Sequence, residues 1–208
     1  MTNKTIDERP QQRLWILVLA AMIIATVAVP VSVLAYREHA AVKIMKMGGN
    51  IDVSNAPQGA DLMTMGGDIE VERVNNFAKV KTMGGDIHIQ QADAAVEATT
   101  MAGNIDVQIN GNSDARHDID LSSNQGNITL TVPKGFPMEV SVSLATTNNQ
   151  SKAFRIIDNI GLTQHADDNL DSSKGTPRKY LRATGRSGSG LNQVTLSTIN
   201  GDVILQQK

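Results

Sequence analysis

Asp52, Glu70, His88 and Asp106 stand 18 residues apart in succession, each between two aliphatic residues. Three carboxylates and an imidazole on adjacent strands form a ligand set for a divalent cation. The same spacing is also what a solvated strand face produces, because alternation sends every second side chain outward. Thr129 and Ile204 continue the column without ligand chemistry. These four residues are candidate ligands, and no metal or cofactor is required to explain them. Methionines recur with the same period. Met45 and Met63 share one position, and Met47, Met65, Met83 and Met101 share another. Thioethers are soft ligands for Cu(I), but neither His nor Cys joins the pairs. Outward methionines more commonly give an adaptable apolar contact surface, here Met45, Met63, Met65, Met83 and Met101.

Other chemistries find less support. The Gly-Gly-Asp turns resemble calcium-binding nonapeptide repeats but lack the further Gly and Asp of G-G-x-G-x-D. The column Asn50, Asp68, Asp86, Asn104, Asn127 and Asp202 is expected to bond backbone N–H groups at corners, as Asx side chains do. There is no cysteine, and His39, His117 and His165 sit in unrelated contexts, so no nucleophile with an oriented base is signalled and the chain reads as no enzyme. The glycine pairs precede neither a helix nor a GK[ST] run, so they are not phosphate loops. A net charge of −2 and 3% aromatic residues leave no basic, aromatic-interleaved surface for nucleic acid.

The positioning element is the repeat itself. Met47-Gly48-Gly49-Asn50-Ile51-Asp52-Val53 recurs from Met65, from Met83 and, as Met-Ala-Gly-Asn, from Met101. Apolar residues alternate on either side of the glycines, the period of half-buried strands. One repeat therefore reads strand, Gly corner, strand, second corner. The structural corner residues are Gly48, Gly49, Gly66, Gly67, Gly84, Gly85, Gly103, Gly126 and Gly201. Second corners are expected at Asn55-Ala56-Pro57, Asn75-Asn76 and Gln91-Ala92-Asp93. Successive repeats stack like strand on like strand, a flattened parallel β-solenoid. About seven coils at a strand spacing of roughly 4.8 Å give a stack about 34 Å long. Lys43, Asp61, Lys79 and Glu97 form an outward column of alternating sign, favouring in-register pairing. Thr64, Thr82, Thr100 and Thr198 form an inward column, with Ser123 and Thr146 in kind, and Lys46 breaks it in the first coil.

Three segments flank or interrupt the repeat. Residues 14–36 form an apolar run bracketed by Trp15 and Tyr36, roughly 30 Å as a helix, the thickness of a bilayer core. It reads as a transmembrane anchor, with a cleaved signal peptide ending near Ala35 as the alternative. Residues 1–13 then form a cytoplasmic tail, and residues 41–208 a periplasmic domain on a single-pass bacterial inner-membrane protein. Residues 150–190 depart from the period and read as an irregular excursion from one corner, with residues 185–190 a flexible connector and Tyr180-Leu181-Arg182-Ala183 a short strand.

Val194-x-Leu196-x-Thr198-x-Asn200-Gly201-Asp202-Val203-x-Leu205, together with the Thr-Met-Gly-Gly-Asp-Ile repeats, resembles the bacterial adhesin-type β-strand-repeat domains of unknown function. The resemblance spans residues 41–208 and implies a single-stranded β-helix, tethered to or exported across a membrane. It carries over no catalytic residues, and the excursion at 150–190 departs from the family's compact form. The expected function is a non-enzymatic, membrane-tethered envelope protein that presents solenoid faces to a protein or polysaccharide. Two alternatives stand beside it: a carbohydrate-active β-helix enzyme, which needs carboxylates in a groove walled by long corner loops, and a filament-forming scaffold that oligomerises through coil edges. If the span is a retained anchor, fractionation recovers the chain in membranes at its uncut mass; a soluble mature chain beginning at Tyr36 contradicts it.

Overall fold

The structure, a computed structural model, describes residues 40–110, 116–148, 152–167, 169–172 and 176–208. The tail at 1–13 and the apolar span at 14–36 lie outside the described residues. Among the described residues no helix is long and apolar enough to cross a membrane. Residues 41–208 form an all-β unit. Its strands are β1 (Val42–Lys46), β2 (Ile51–Val53), β3 (Ala60–Thr64), β4 (Ile69–Thr82), β5 (Ile87–Thr100), β6 (Ile105–Ile109), β7 (Ile119–Ser123), β8 (Ile128–Val132), β9 (Met138–Thr147), β10 (Ile156–Asp158), β11 (Thr163–Ala166), β12 (Arg178–Ser187), β13 (Asn192–Ile199) and β14 (Val203–Gln207). Together they make one curled, open sheet of mixed orientation, solenoid-like in its repeat.

Each repeat contributes one strand to each of two faces. The first face runs β1, β3, the second half of β4, the second half of β5, β7, β13 and β9, all parallel. The second runs β2, the first halves of β4 and β5, then β6, β8, β14 and β10, again parallel. Inward residues of the two faces make the core. Ala60, Ala78, Val96, Ile119, Val194 and Val140 form one buried row, and Ile51, Ile69, Ile87, Ile105, Ile128 and Val203 another. A single repeat could not bury either row; the stack buries both.

The Gly corner holds the stack in register. Gly49, Gly67, Gly85, Gly103 and Gly126 all have positive φ, from 84° to 155°. Corners are so close that a Cβ on Gly85 would lie 2.2 Å from the Gly67 carbonyl oxygen, and one on Gly103 2.0 Å from that of Gly85. The first glycine of the pair is different. Gly66 and Gly84 have open space where a Cβ would go, and Ala102 holds the equivalent position in the next coil. Side chains then tie corner to corner. The Asx column is a ladder: Asn50 Oδ1 accepts from Asp68 N (3.0 Å), Asp68 from Asp86 N (2.8 Å), Asp86 from Asn104 N (2.7 Å), Asn104 from Asn127 N (2.9 Å), Asn127 from Asp202 N (2.8 Å) and Asp202 from Arg155 N (2.9 Å). The buried Thr64, Thr82, Thr100, Ser123 and Thr198 hydroxyls donate to the carbonyls of Gly49, Gly67, Gly85, Gly103 and Gly126. Each otherwise orphaned corner group gains a partner. Lys46 is exposed, and its Nζ donates to Asn50 O.

Four expectations need correction. First, the second corner does not interrupt β4 or β5. The strands bend on either side of one inward residue, giving a third buried column of Ala56, Val74, Ala92 and Ile109. Second, Thr146 is not in the threonine column. Thr198 pairs with Leu144, and Thr146 pairs with Lys179 of β12. A slip of two residues keeps the same side chains inward, so alternation alone does not distinguish the registers. Third, coils do not stack in chain order. β13 lies between β7 and β9, and β14 between β8 and β10, so residues 192–207 fill a slot between earlier elements. Asn192, fully buried, fastens that slot: its Oδ1 accepts from His117 N and its Nδ2 donates to Pro137 O. Fourth, the segment at 150–190 holds regular strands. β10 continues the second face, while β12 and β11 add antiparallel strands beyond β9. Gly185, read as part of a connector, lies inside β12, where a Cβ would sit 2.6 Å from Leu162 Cδ2.

Gly85→Ala is therefore expected to destabilise the domain by about 1–3 kcal/mol, a loss of several degrees in Tm. Gly84→Ala is expected to change stability by no more than about 0.5 kcal/mol. Thermal melts of the two variants decide it; equal losses contradict the corner geometry.

Candidate functional site

The outward columns carry the polar chemistry. Asp52, Glu70, His88 and Asp106 do form one column on the second face, in consecutive register, followed by Thr129, Ile204 and Ile157. Three of the four side chains are engaged with neighbours: His88 Nδ1 lies 3.7 Å from Asp106 Oδ2, and Glu70 Oε1 accepts from Gln90 Nε2 at 2.9 Å. Among the described residues no three His, Cys, Asp or Glu side chains converge as a metal centre would need.

The methionines stand on the Gly corner. Met47, Met65, Met83 and Met101 are 41–85% exposed, and Met45 is 67% exposed. Met63 is half-buried, beside Met45 on one side and Lys81 on the other. One methionine in each of the first four coils thus makes an apolar edge at the strand-spacing interval, carried on the backbone that the glycine column fixes; Asn124 ends it in the next coil.

The first face holds a groove that sequence reading did not find. Its outward column reads Lys43, Asp61, Lys79, Glu97, Asp120, Thr195. Lys43 pairs with Asp61 at 3.3 Å, and Lys79 with Glu97 at 3.1 Å. Asp120 comes next, beside Glu97 and with no cation of its own among the described residues. The adjoining column runs Phe77, Ala95, Asp118, Gln193. Ala95 is small, so a notch of about 430 Å³ opens over it, lined by Phe77, Glu97, Asp118, Asp120, Gln193 and Thr195 among others. Phe77 is 39% exposed. The signal was present in the sequence: Phe77 and Ala95 stand one repeat apart, and the size drop between them is the notch.

The two aspartates of the notch differ. Burial pushes the Asp120 carboxyl above the usual carboxylate range, and the neighbouring Glu97 charge adds to it. Burial acts the same way on Asp118, but the Gln193 N–H and the Arg116 guanidinium, whose Nε donates to both carboxylate oxygens at 3.0–3.1 Å, outweigh it and hold Asp118 low. Nearby His117 is buried. Its Nε2 is 3.2 Å from Asp93 Oδ1, but outside hydrogen-bonding direction.

The repeat, its corners and the curled sheet match the Toastrack DUF4097 family over residues 38–163, more than half of the sequence. The chain belongs to that family. The matched span of this Toastrack domain covers β1 to β10 and ends as β11 begins; the antiparallel β12 and the slotted β13–β14 coil lie beyond it. The name denotes a β-rich domain and carries no activity. No curated protein and no solved structure matches the chain.

The aspartates give opposite pH signatures. Asp120, raised in the fold, binds its proton more tightly folded than unfolded, so its ionisation works against the fold as pH rises through that raised value. Asp118, lowered in the fold, contributes stability above the ordinary carboxylate range that is lost as pH falls through its folded value. Asp120→Asn is expected to raise stability at neutral pH by a few tenths of a kcal/mol, about 1 °C in Tm. The gain should vanish in acid, where Asp120 is already protonated. A destabilised variant at neutral pH contradicts the like-charge placement.

Proposed function

We propose that this Toastrack domain is a non-enzymatic display module: a parallel β-solenoid of single-stranded β-helix type. In this reading it is held at a bacterial inner membrane by residues 14–36, with residues 41–208 in the periplasm, and offers its surface to a protein or polysaccharide in an adhesin-like role. The observation that carries it is the methionine edge. Soluble domains rarely keep a contiguous row of large apolar side chains in water unless something binds there, and methionine is the side chain best able to adapt to a partner's shape. The carboxylates support the same reading. They lie on open strand faces, mostly matched with a neighbour, rather than paired across a deep groove as glycoside hydrolysis needs.

Changing Met47, Met65, Met83 and Met101 together to Gln tests it. The side chains are exposed, so the variant should fold, with the circular dichroism of the parent chain. Crosslinking pull-down from native membranes should then lose partners that the parent chain captures. A variant that folds and keeps every partner refutes the methionine edge as the contact surface, and one that unfolds assigns the methionines to the core.

A further inference from the structure

The notch over Ala95 has a character of its own, independent of whether the methionine edge binds anything. Its floor is the Ala95 methyl and the strand backbone around it, since Ala78 and Val96 turn their side chains into the core. One end is the exposed ring of Phe77. The other carries carboxylates, two of which are already neutralised: Glu97 by Lys79 and Asp118 by Arg116. Only Asp120 is left without a cation among the described residues, and it lies beside Glu97 in register. The notch therefore offers one apolar track and one uncompensated negative charge. Its volume of about 430 Å³ falls in the range of small-ligand sites.

We infer that this notch receives a lysine side chain from a protein partner, the methylene stem lying over Ala95 against Phe77 and the ammonium reaching Asp120. Lysine is amphipathic in the required order, a four-carbon stem ending in a compact charge. Asp120 lies two strands from Phe77 and two residues along from Asp118 in the Phe77 column, a diagonal of roughly 12 Å, a span covered by an extended stem with its own backbone. The Phe77 ring, which lies against Gly59 of the preceding coil, borders the notch as an apolar wall for the stem. A polyamine fits less well. It brings two or more charges, and the second finds Glu97 and Asp118 already taken. An incoming ammonium also relieves the Glu97–Asp120 repulsion, the same imbalance that burial and Glu97 impose on Asp120 in the free chain.

The test is a titration of the full-length chain, isotope-labelled, followed by amide chemical shifts. The probes are N-acetyl-lysine methylamide, N-acetyl-norleucine methylamide and spermidine. The lysine probe should move the resonances of Ala95, Glu97 and Asp120, and the norleucine probe, with its uncharged stem, should bind at least fivefold more weakly. Asp120→Asn should weaken the lysine probe about tenfold, and Phe77→Ala, which removes the apolar wall, a few-fold. Asp52→Asn, on the other face, should leave binding unchanged. Equal binding of lysine and norleucine probes, or an Asp120→Asn variant that binds as tightly as the parent, overturns the inference. So does spermidine binding tenfold more tightly than the lysine probe, which would make the ligand a free polyamine. Absence of any shift at millimolar lysine probe overturns it as well.

Discussion

Backbone touches backbone at the Gly corner, and every other regularity of the domain depends on that approach. Stacked corners bring the carbonyl of one coil to where the next coil's Cβ would be, 2.0–2.2 Å away at Gly85 and Gly103. Only glycine is compatible with that distance and with the positive φ of the turn. Once the corners are stacked, strand spacing is fixed. The Asx side chain of one coil then meets the N–H of the next, and the threonine hydroxyl meets the carbonyl of the corner before. Inward rows close into a core almost free of aromatics. The surface columns inherit the same period, so the methionine edge, the charge ladder and the notch are all consequences of one steric rule.

The glycine pair looked uniform in sequence and is not. Its second member is imposed by contact with the preceding coil. The first meets open space, and Ala102 and Gln125 hold its place in later coils. The replacement at Ala102 was the visible clue, because it shows which half of the pair tolerates a side chain.

How far the fold was legible depends on what each residue had to encode. The register of β1, β3, β4 and β5 was readable because identical motifs recur at one spacing, and the Asx and threonine columns were readable because those side chains have a narrow range of local bonding modes. The order of the last coils was not. Val140, Val142 and Leu144 satisfy alternation equally well in registers two residues apart, and nothing in β9 itself announces that β13, not β7, is its parallel neighbour. That choice rests on buried Asn192, a polar residue that in sequence looks like one more surface asparagine. The notch escaped for a related reason. It is made by what Ala95 lacks, and by a carboxylate whose importance lies in having Glu97 on the adjacent strand. Sequence reading looks for residues that do something, and a site built from a missing side chain gives it little to find.

The slotted coil also bears on assembly. The segment that joins the two parts of the stack is encoded after both of them. Until residues 192–207 arrive, β7 and β8 end one partial stack and β9 and β10 begin another, each with a row of unpaired amides and carbonyls facing the gap. Those facing rows are adhesive to any extended chain. A chain in which residues 192–207 are undocked exposes a socket for its own later strand. While they are undocked, a foreign strand, or the matching strand of another molecule, competes for the same place.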